Sequence, residues 1–156
     1  MRLFLLMKVF IAADHAGFHL KKQLIQYLDL KGYEVSDCGA FEMNDEDDYV
    51  EFCADCAKKV AGDAQSCGIV IGGSGNGEAI VANKVKGIRA AVYNSGKADI
   101  AKLAKEHNNA NVLSLGSRFI TPEEAKRAVT MWLEAEFEGG RHQRRIDKIS
   151  KLEEES

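Results

Sequence analysis

Cys67-Gly-Ile-Val-Ile-Gly-Gly-Ser-Gly-Asn-Gly-Glu78, running on into Ala79-Ile-Val-Ala-Asn-Lys-Val-Lys-Gly-Ile-Arg89, is the stretch from which the fold can be read. Ile69, Val70 and Ile71 form a β-branched run of the kind a buried parallel strand carries. Gly72, Gly73, Gly75 and Gly77 then strip side chains from the turn, which permits positive φ and close approach of a ligand to the backbone. From Glu78 the apolar residues Ile80, Val81 and Val85 fall near helical spacing, and Gly87 ends the segment. Strand, glycine turn and helix follow one another. Such a turn aims amides and a helix N-terminus at one point, which makes an anion site. Ser74 adds a hydroxyl. Glu78 adds a carboxylate, which would repel a bound phosphate but suits a base working beside a developing oxyanion.

Working outward, Lys8–Ala13 reads as the first strand, stopped by Asp14-His15-Ala16-Gly17. From Phe18 a helix with Leu20, Leu24 and Leu28 on one face is predicted, with Gly32 as its stop. Tyr33–Asp37 alternates as a second strand. Residues 38–48 make an acidic loop whose Asp47 or Asp48 would cap a helix reaching Gly62. After the glycine turn, Ile88–Val92 is the fourth strand. Asn94 or Ser95 is expected to cap a helix carrying Ala98, Ala101 and Ala104, and Asn111–Leu115 is the fifth strand. Thr121-Pro-Glu-Glu124 is a capping box with proline at the first helical position. A final basic helix over about 142–153 has only Ile146, Ile149 and Leu152 apolar, a stripe better satisfied against a second subunit. The alternation predicts a three-layer α/β/α domain on a five-stranded parallel, Rossmann-like sheet. Ligands collect beyond the C-terminal strand ends of such sheets. That rule assigns Asp14-His15, Ser74–Glu78 and Ser117-Arg118 to the ligand edge and leaves Arg89 structural.

The bulk properties set limits. A chain of 156 residues is expected to be one domain, with residues 1–6 as an N-terminal extension, 7–150 as the domain and 151–156 as an acidic tail. The net charge of −3 argues against nucleic acid as the main partner. The apolar start lacks a small-residue cleavage pattern, and no run is long enough to cross a membrane. Cys38, Cys53, Cys56 and Cys67 include one C-x-x-C pair without the second pair a structural zinc needs. Cys53 and Cys56 share an apolar helical face with Tyr49, Phe52, Ala57 and Val60, so they read as packing, and reduced thiols suit the cytoplasm.

Each motif has a plainer reading. Asp14-His15 would serve as a turn and cap for the next helix. His19 lies one turn on, but the glutamate of H-E-x-x-H is missing, so it reads as solvent-facing. His107-Asn108-Asn109 fits a helix end and turn. Arg141 and Arg145, one helical turn apart, suit a phosphate monoester or a solvated basic face. The glycine turn matches neither a nucleotide P-loop nor a dinucleotide fingerprint, and Glu78 is also the acid that a helix N-terminus favours.

Together, Ala13–Gly17, Gly68–Glu78, Ala82–Ala90, His107–Val112, Leu115–Arg118 and Gly139–Arg145 resemble the B-type ribose-5-phosphate isomerases and the related galactose-6-phosphate and allose-6-phosphate isomerases. The resemblance covers about residues 8–150. Many of these proteins carry a cysteine base where this chain has Gly72; this chain resembles the branch whose base is the glutamate at Glu78. Val50 stands where proline is common after the loop tyrosine, Tyr49. The resemblance implies an aldose–ketose isomerase without metal or cofactor, interconverting ribose 5-phosphate and ribulose 5-phosphate. A six-carbon sugar phosphate isomerase and a non-catalytic sugar-phosphate-binding module are the alternatives. It further implies catalytic roles for Glu78, His107, Ser74 and Asp14. Substrate contacts would come from His15, Tyr49, Gly73, Gly75, Asn76, Gly77, Asn108, Arg118, Arg141 and Arg145. The partner it implies is a second copy of the chain, sharing active sites in a homodimer and in some relatives a tetramer.

Overall fold

A computed structural model describes residues 7–156; the expected extension over residues 1–6 lies outside the described residues. Five parallel strands, β1 (Lys8–Ala13), β2 (Glu34–Asp37), β3 (Ser66–Gly72), β4 (Ala90–Tyr93) and β5 (Val112–Gly116), form one sheet in the order β2-β1-β3-β5-β4. The helices are α1 (Phe18–Leu30), α2 (Tyr49–Ala61), α3 (Asn76–Asn83), α4 (Asp99–Asn108), α5 (Pro122–Glu134) and α6 (Arg141–Glu154). The three-layer arrangement read from the sequence is the one found.

Strand alternation divides the core in two. Val9, Ile11, Ile69, Ile71, Leu113 and Leu115 face one side, where Leu24 and Leu28 of α1, Ala101 of α4 and Trp132 of α5 cover them. Phe10, Ala12, Val70 and Val112 face the other, under Cys53, Cys56 and Ala57 of α2 and Ala82 of α3. Both thiols of the C-x-x-C pair are buried and free, packed on the apolar face of α2. Central strand β3 is buried throughout, which its β-branched run requires.

Several boundaries move, each for a local reason. Neither Asn94 nor Ser95 caps α4: the Asn94 side-chain amide donates to the Ser74 carbonyl at 2.9 Å, and the helix starts at Asp99. Strand β4 begins at Ala90, because Arg89 is tied off by Asn109 and Asn111, its Nε donating to the Asn109 carbonyl at 3.0 Å. In α3 the buried face is Ala79 and Ala82, while Ile80 is 62% exposed; small residues let this short helix lie close to the sheet. Of the two loop aspartates, Asp48 caps α2, accepting from the Val50 N–H at 3.0 Å. The capping box at Thr121–Glu124 forms in full. Helix α6 runs on through Glu154, and the Glu153 carboxylate accepts from the Gly87 N–H at 2.6 Å. Its stripe is as narrow as expected: Ile146 is buried, whereas Ile149 and Leu152 are exposed.

The chain leaves β1 toward β2 through α1 on one face, and leaves β3 toward β4 through α3 on the other. The connections therefore diverge between the C-terminal ends of β1 and β3, where open parallel sheets form their ligand crevice. Ala13 pairs with Ile71 in register, so Asp14 and Gly72 face each other across that crevice.

Candidate active site

The glycine turn is held from below by β5. Gly75 adopts φ +84°, the left-handed conformation that favours glycine, and its carbonyl accepts from the Ser114 hydroxyl at 2.6 Å. The N–H groups of Ser117 and Arg118 donate to the carbonyls of Gly72 and Gly73 at 2.8 and 3.0 Å. Ser117 Oγ donates to the Ala16 carbonyl at 2.7 Å, so the loops after β1, β3 and β5 form one connected edge. The Ser74 hydroxyl accepts from the Asn76 N–H at 3.2 Å, which leaves its own proton free to donate outward.

Glu78 sits in the first turn of α3 and is only 4% exposed. Its carboxylate fills the space a side chain on Gly72 would need: a Cβ built there would lie 1.5 Å from Glu78 Oε1 and 2.1 Å from Cδ. A cysteine at position 72 and this placement of Glu78 are therefore mutually exclusive. Burial raises the Glu78 pKa above the ordinary carboxylate value; its own backbone N–H pulls the other way, and the nearby charge of Asp14 adds to the rise. A carboxylate with raised basicity, aimed at the turn, is what proton abstraction next to a carbonyl requires.

Asp14 is buried, and its Oδ1 accepts from the N–H groups of Ala16 and Gly17 at 3.0 and 3.3 Å. The turn-and-cap reading of Asp14 thus holds, and it also places the carboxylate beside Glu78. His15 is half-buried, with Nδ1 2.8 Å from Asp47 Oδ1. Tyr49 lies over Gly77, where an added Cβ would come within 2.6 Å of the phenol oxygen. The Arg118 guanidinium lies along Gly73, 3.1 Å from the equivalent point there. The structure therefore brings Asp14, His15, Tyr49, Gly73, Ser74, Gly75, Asn76, Gly77, Glu78 and Arg118 to one edge.

The other expected residues stand elsewhere. His107 and Asn108 end α4, immediately before β5, and so occupy the N-terminal edge of the sheet. Arg141 and Arg145, both exposed, begin α6, which packs on α4. The His107 and His142 rings stack with centroids 4.3 Å apart, and the Glu138 carboxylate lies 3.7 Å from both Nε2 atoms. Burial and the neighbouring His107 lower the His142 pKa. A cavity of about 270 Å³ opens beside Asn108, lined in part by Asn83, Arg89 and Ile149. A five-residue strand spans about 17 Å, whereas five carbons and a phosphate extend only about 8 Å at ordinary bond lengths. Within one chain the two groups therefore stand at opposite edges of the sheet.

Sequence reasoning missed Asp47 as a site residue, having weighed it only as a cap; its neighbour Asp48 takes that role and leaves Asp47 for His15. It also missed Asn94 and Ser114, which hold the turn's carbonyls and carry no motif of their own.

The sequence model for Ribose/Galactose Isomerase matches residues 9–149. Ribose-5-phosphate isomerase B of Mycobacterium leprae is 46% identical over 152 residues, covering 94% of this chain and 90% of the relative. The Escherichia coli protein of that name is 41% identical over 147 residues, covering 94% and 97%. The crystal structure of ribose-5-phosphate isomerase B from Mycoplasma genitalium with bound ribulose-5-phosphate superposes with a TM-score of 0.92 at 45% identity, covering 96% of this chain and 97% of that one. By matched length and by identity, this chain belongs to the ribose/galactose isomerase family.

Proposed function

We propose that the protein is an aldose–ketose isomerase interconverting ribose 5-phosphate and ribulose 5-phosphate, a step of the pentose phosphate pathway. The carrying observation is the buried Glu78 carboxylate, folded over Gly72 at the mouth of the β1/β3 crevice. Glu78 takes the proton from the carbon next to the carbonyl and returns it to the neighbouring carbon. Ser74 and the amides of the turn hold the enediolate oxygen in between. Asp14 keeps Glu78 basic and stands near the sugar oxygens. Tyr49, Gly73, Gly75, Asn76 and Gly77 line the substrate's path.

Ribose 5-phosphate is mainly a closed furanose, so its ring must open before C2 loses a proton. We assign that step to His107, with Asn108 on the sugar hydroxyls, from a second copy of the chain. Arg141 and Arg145 of that copy grip the phosphate together with His15 and Arg118 of the first, through charge-assisted hydrogen bonds. The separation of the two groups within one chain supports this homodimeric reading, as do the exposed Ile149 and Leu152 on α6. Among the described residues no helix is long and apolar enough to cross a membrane, and four unpaired thiols fit a cytoplasmic setting.

A coupled assay with ribose 5-phosphate and allose 6-phosphate side by side tests the reading. Turnover of ribose 5-phosphate is expected to dominate. Preference for the six-carbon sugar, or binding of either without turnover, would overturn it.

A further inference from the structure

Asp47 spends its hydrogen bonds in an unusual way. One oxygen, Oδ1, receives both the His15 backbone N–H at 2.9 Å and His15 Nδ1 at 2.8 Å. The side chain is 8% exposed, and its second oxygen, Oδ2, has no partner among the described residues. A buried carboxylate normally satisfies both oxygens, so the charge here is committed to one neighbour. Asp47 does not cap α2, since Asp48 does, and the short 3-10 turn that begins at His15 is capped by Asp14. The His15 side chain is 29% exposed and lies at the ligand edge, and with Nδ1 occupied, Nε2 is the only ring nitrogen left for a ligand.

We infer that Asp47 is a positioning residue, fixing the His15 ring so that Nε2–H is presented to the anionic group of the substrate. This rests on the sugar-phosphate reading above. The chemistry is that of a carboxylate–imidazole pair. A neutral ring donating from Nδ1 offers an acceptor at Nε2 and repels a phosphate, whereas the doubly protonated ring offers a donor. The Asp47 hydrogen bond favours the charged ring, raising the His15 pKa; partial burial opposes it, and the charges of Asp14, Asp47 and Asp45 support it. These carboxylates face His15 from the end of β1 and from the acidic loop. Asp47 differs from the other two in making the bond that also sets the ring's direction.

The test is Asp47→Asn, which keeps an acceptor of the same shape and removes the charge. Three readouts are compared with wild type: the His15 ring titration by NMR in the ligand-free protein, the Kd for inorganic phosphate on the same resonances, and KM and kcat for ribose 5-phosphate at pH 6 and pH 8. The His15 midpoint is expected to fall. The ratio of variant to wild-type Kd and KM should be smallest at pH 6, because the ring that has lost the Asp47 bond is the first to lose its charge as pH rises. It should rise about tenfold at pH 8, the scale of one charge-assisted hydrogen bond, with kcat changed far less. Asp47→Glu should restore part of the loss. An unchanged midpoint, or a ratio equally raised at both pH values as a mere loop anchor would give, overturns the inference. A wild-type protein that fails to turn over ribose 5-phosphate overturns the proposed function instead, and the two NMR readouts still decide the role of Asp47.

Discussion

The contact between Gly72 and Glu78 offers a way to disturb the base without touching it. In Gly72→Ala the new Cβ would lie 1.5 Å from Oε1, against the 3.4 Å of an ordinary contact, so the carboxylate must retreat by about 1.9 Å. The backbone at position 72 is ordinary extended strand, so alanine adds no strain of its own. Displacing a reacting group by about 1 Å can cost around 10²-fold in rate, and losing a general base costs about 10²–10⁴-fold. We expect kcat to drop into that range in the coupled assay while the protein stays folded, because the displaced carboxylate moves toward water. Gly73→Ala is the control: its Cβ would meet only the far end of Arg118, at 3.1 Å, and a flexible guanidinium can give way. That variant should raise KM more than it lowers kcat. A folded Gly72→Ala protein with kcat within a few-fold of wild type would refute both the placement of Glu78 and its role.

Glu78→Gln should abolish isomerisation and leave sugar-phosphate binding nearly intact. Because burial raises the Glu78 pKa, the base is lost as pH falls through that raised value, so the acid limb of kcat/KM should lie above the ordinary 4.5; a limb at or below 4.5 would show an unburied base. Iodoacetamide should inactivate the native protein slowly. Burial holds the Cys67 thiol up at about 12 and pushes Cys53 higher still. Cys38, its pKa lowered by a hydrogen bond from the Cys56 thiol and by the Lys59 charge, should label first without loss of activity. Rapid inactivation prevented by substrate would show a catalytic thiol. Mixing inactive Glu78→Gln and Arg145→Ala proteins under subunit exchange should recover about a quarter of wild-type activity, since half the dimers would carry one intact site of two. A confirmed heterodimer without activity would place both residues' work in one subunit.

The fold was legible wherever period and punctuation agreed. The β-branched Ile69–Ile71 run, the glycine cluster and the Thr121 capping box each have one good local solution, and the chain adopts it. Legibility failed where a side chain serves a distant partner. Asn94 looks like a helix cap in its own neighbourhood, but twenty residues back it finds the Ser74 carbonyl. Asp47 and Asp48 are chemically identical neighbours, and only the tertiary position of His15 tells them apart. Half of the candidate site was readable from strand order alone, because Asp14, Ser74, Glu78 and Arg118 all follow C-terminal strand ends. His107 ends α4 just before β5, at the opposite edge, and Arg141 begins the helix that packs on α4. In the dimeric reading proposed above they meet a second surface, which no pattern within one chain encodes.

The hydroxyl bond from Ser117 to the Ala16 carbonyl joins residues 101 positions apart and closes the edge that carries Glu78. It can exist only once β1, β3 and β5 lie side by side, so this edge is among the most non-local parts of the molecule. Contacts of that range are late to form, since the chain must first lose the entropy of closing the long loop. A nascent chain with its helices formed and β3 already collapsed would therefore still lack this edge. The edge is complete only with the arrival of the fifth strand beside β3.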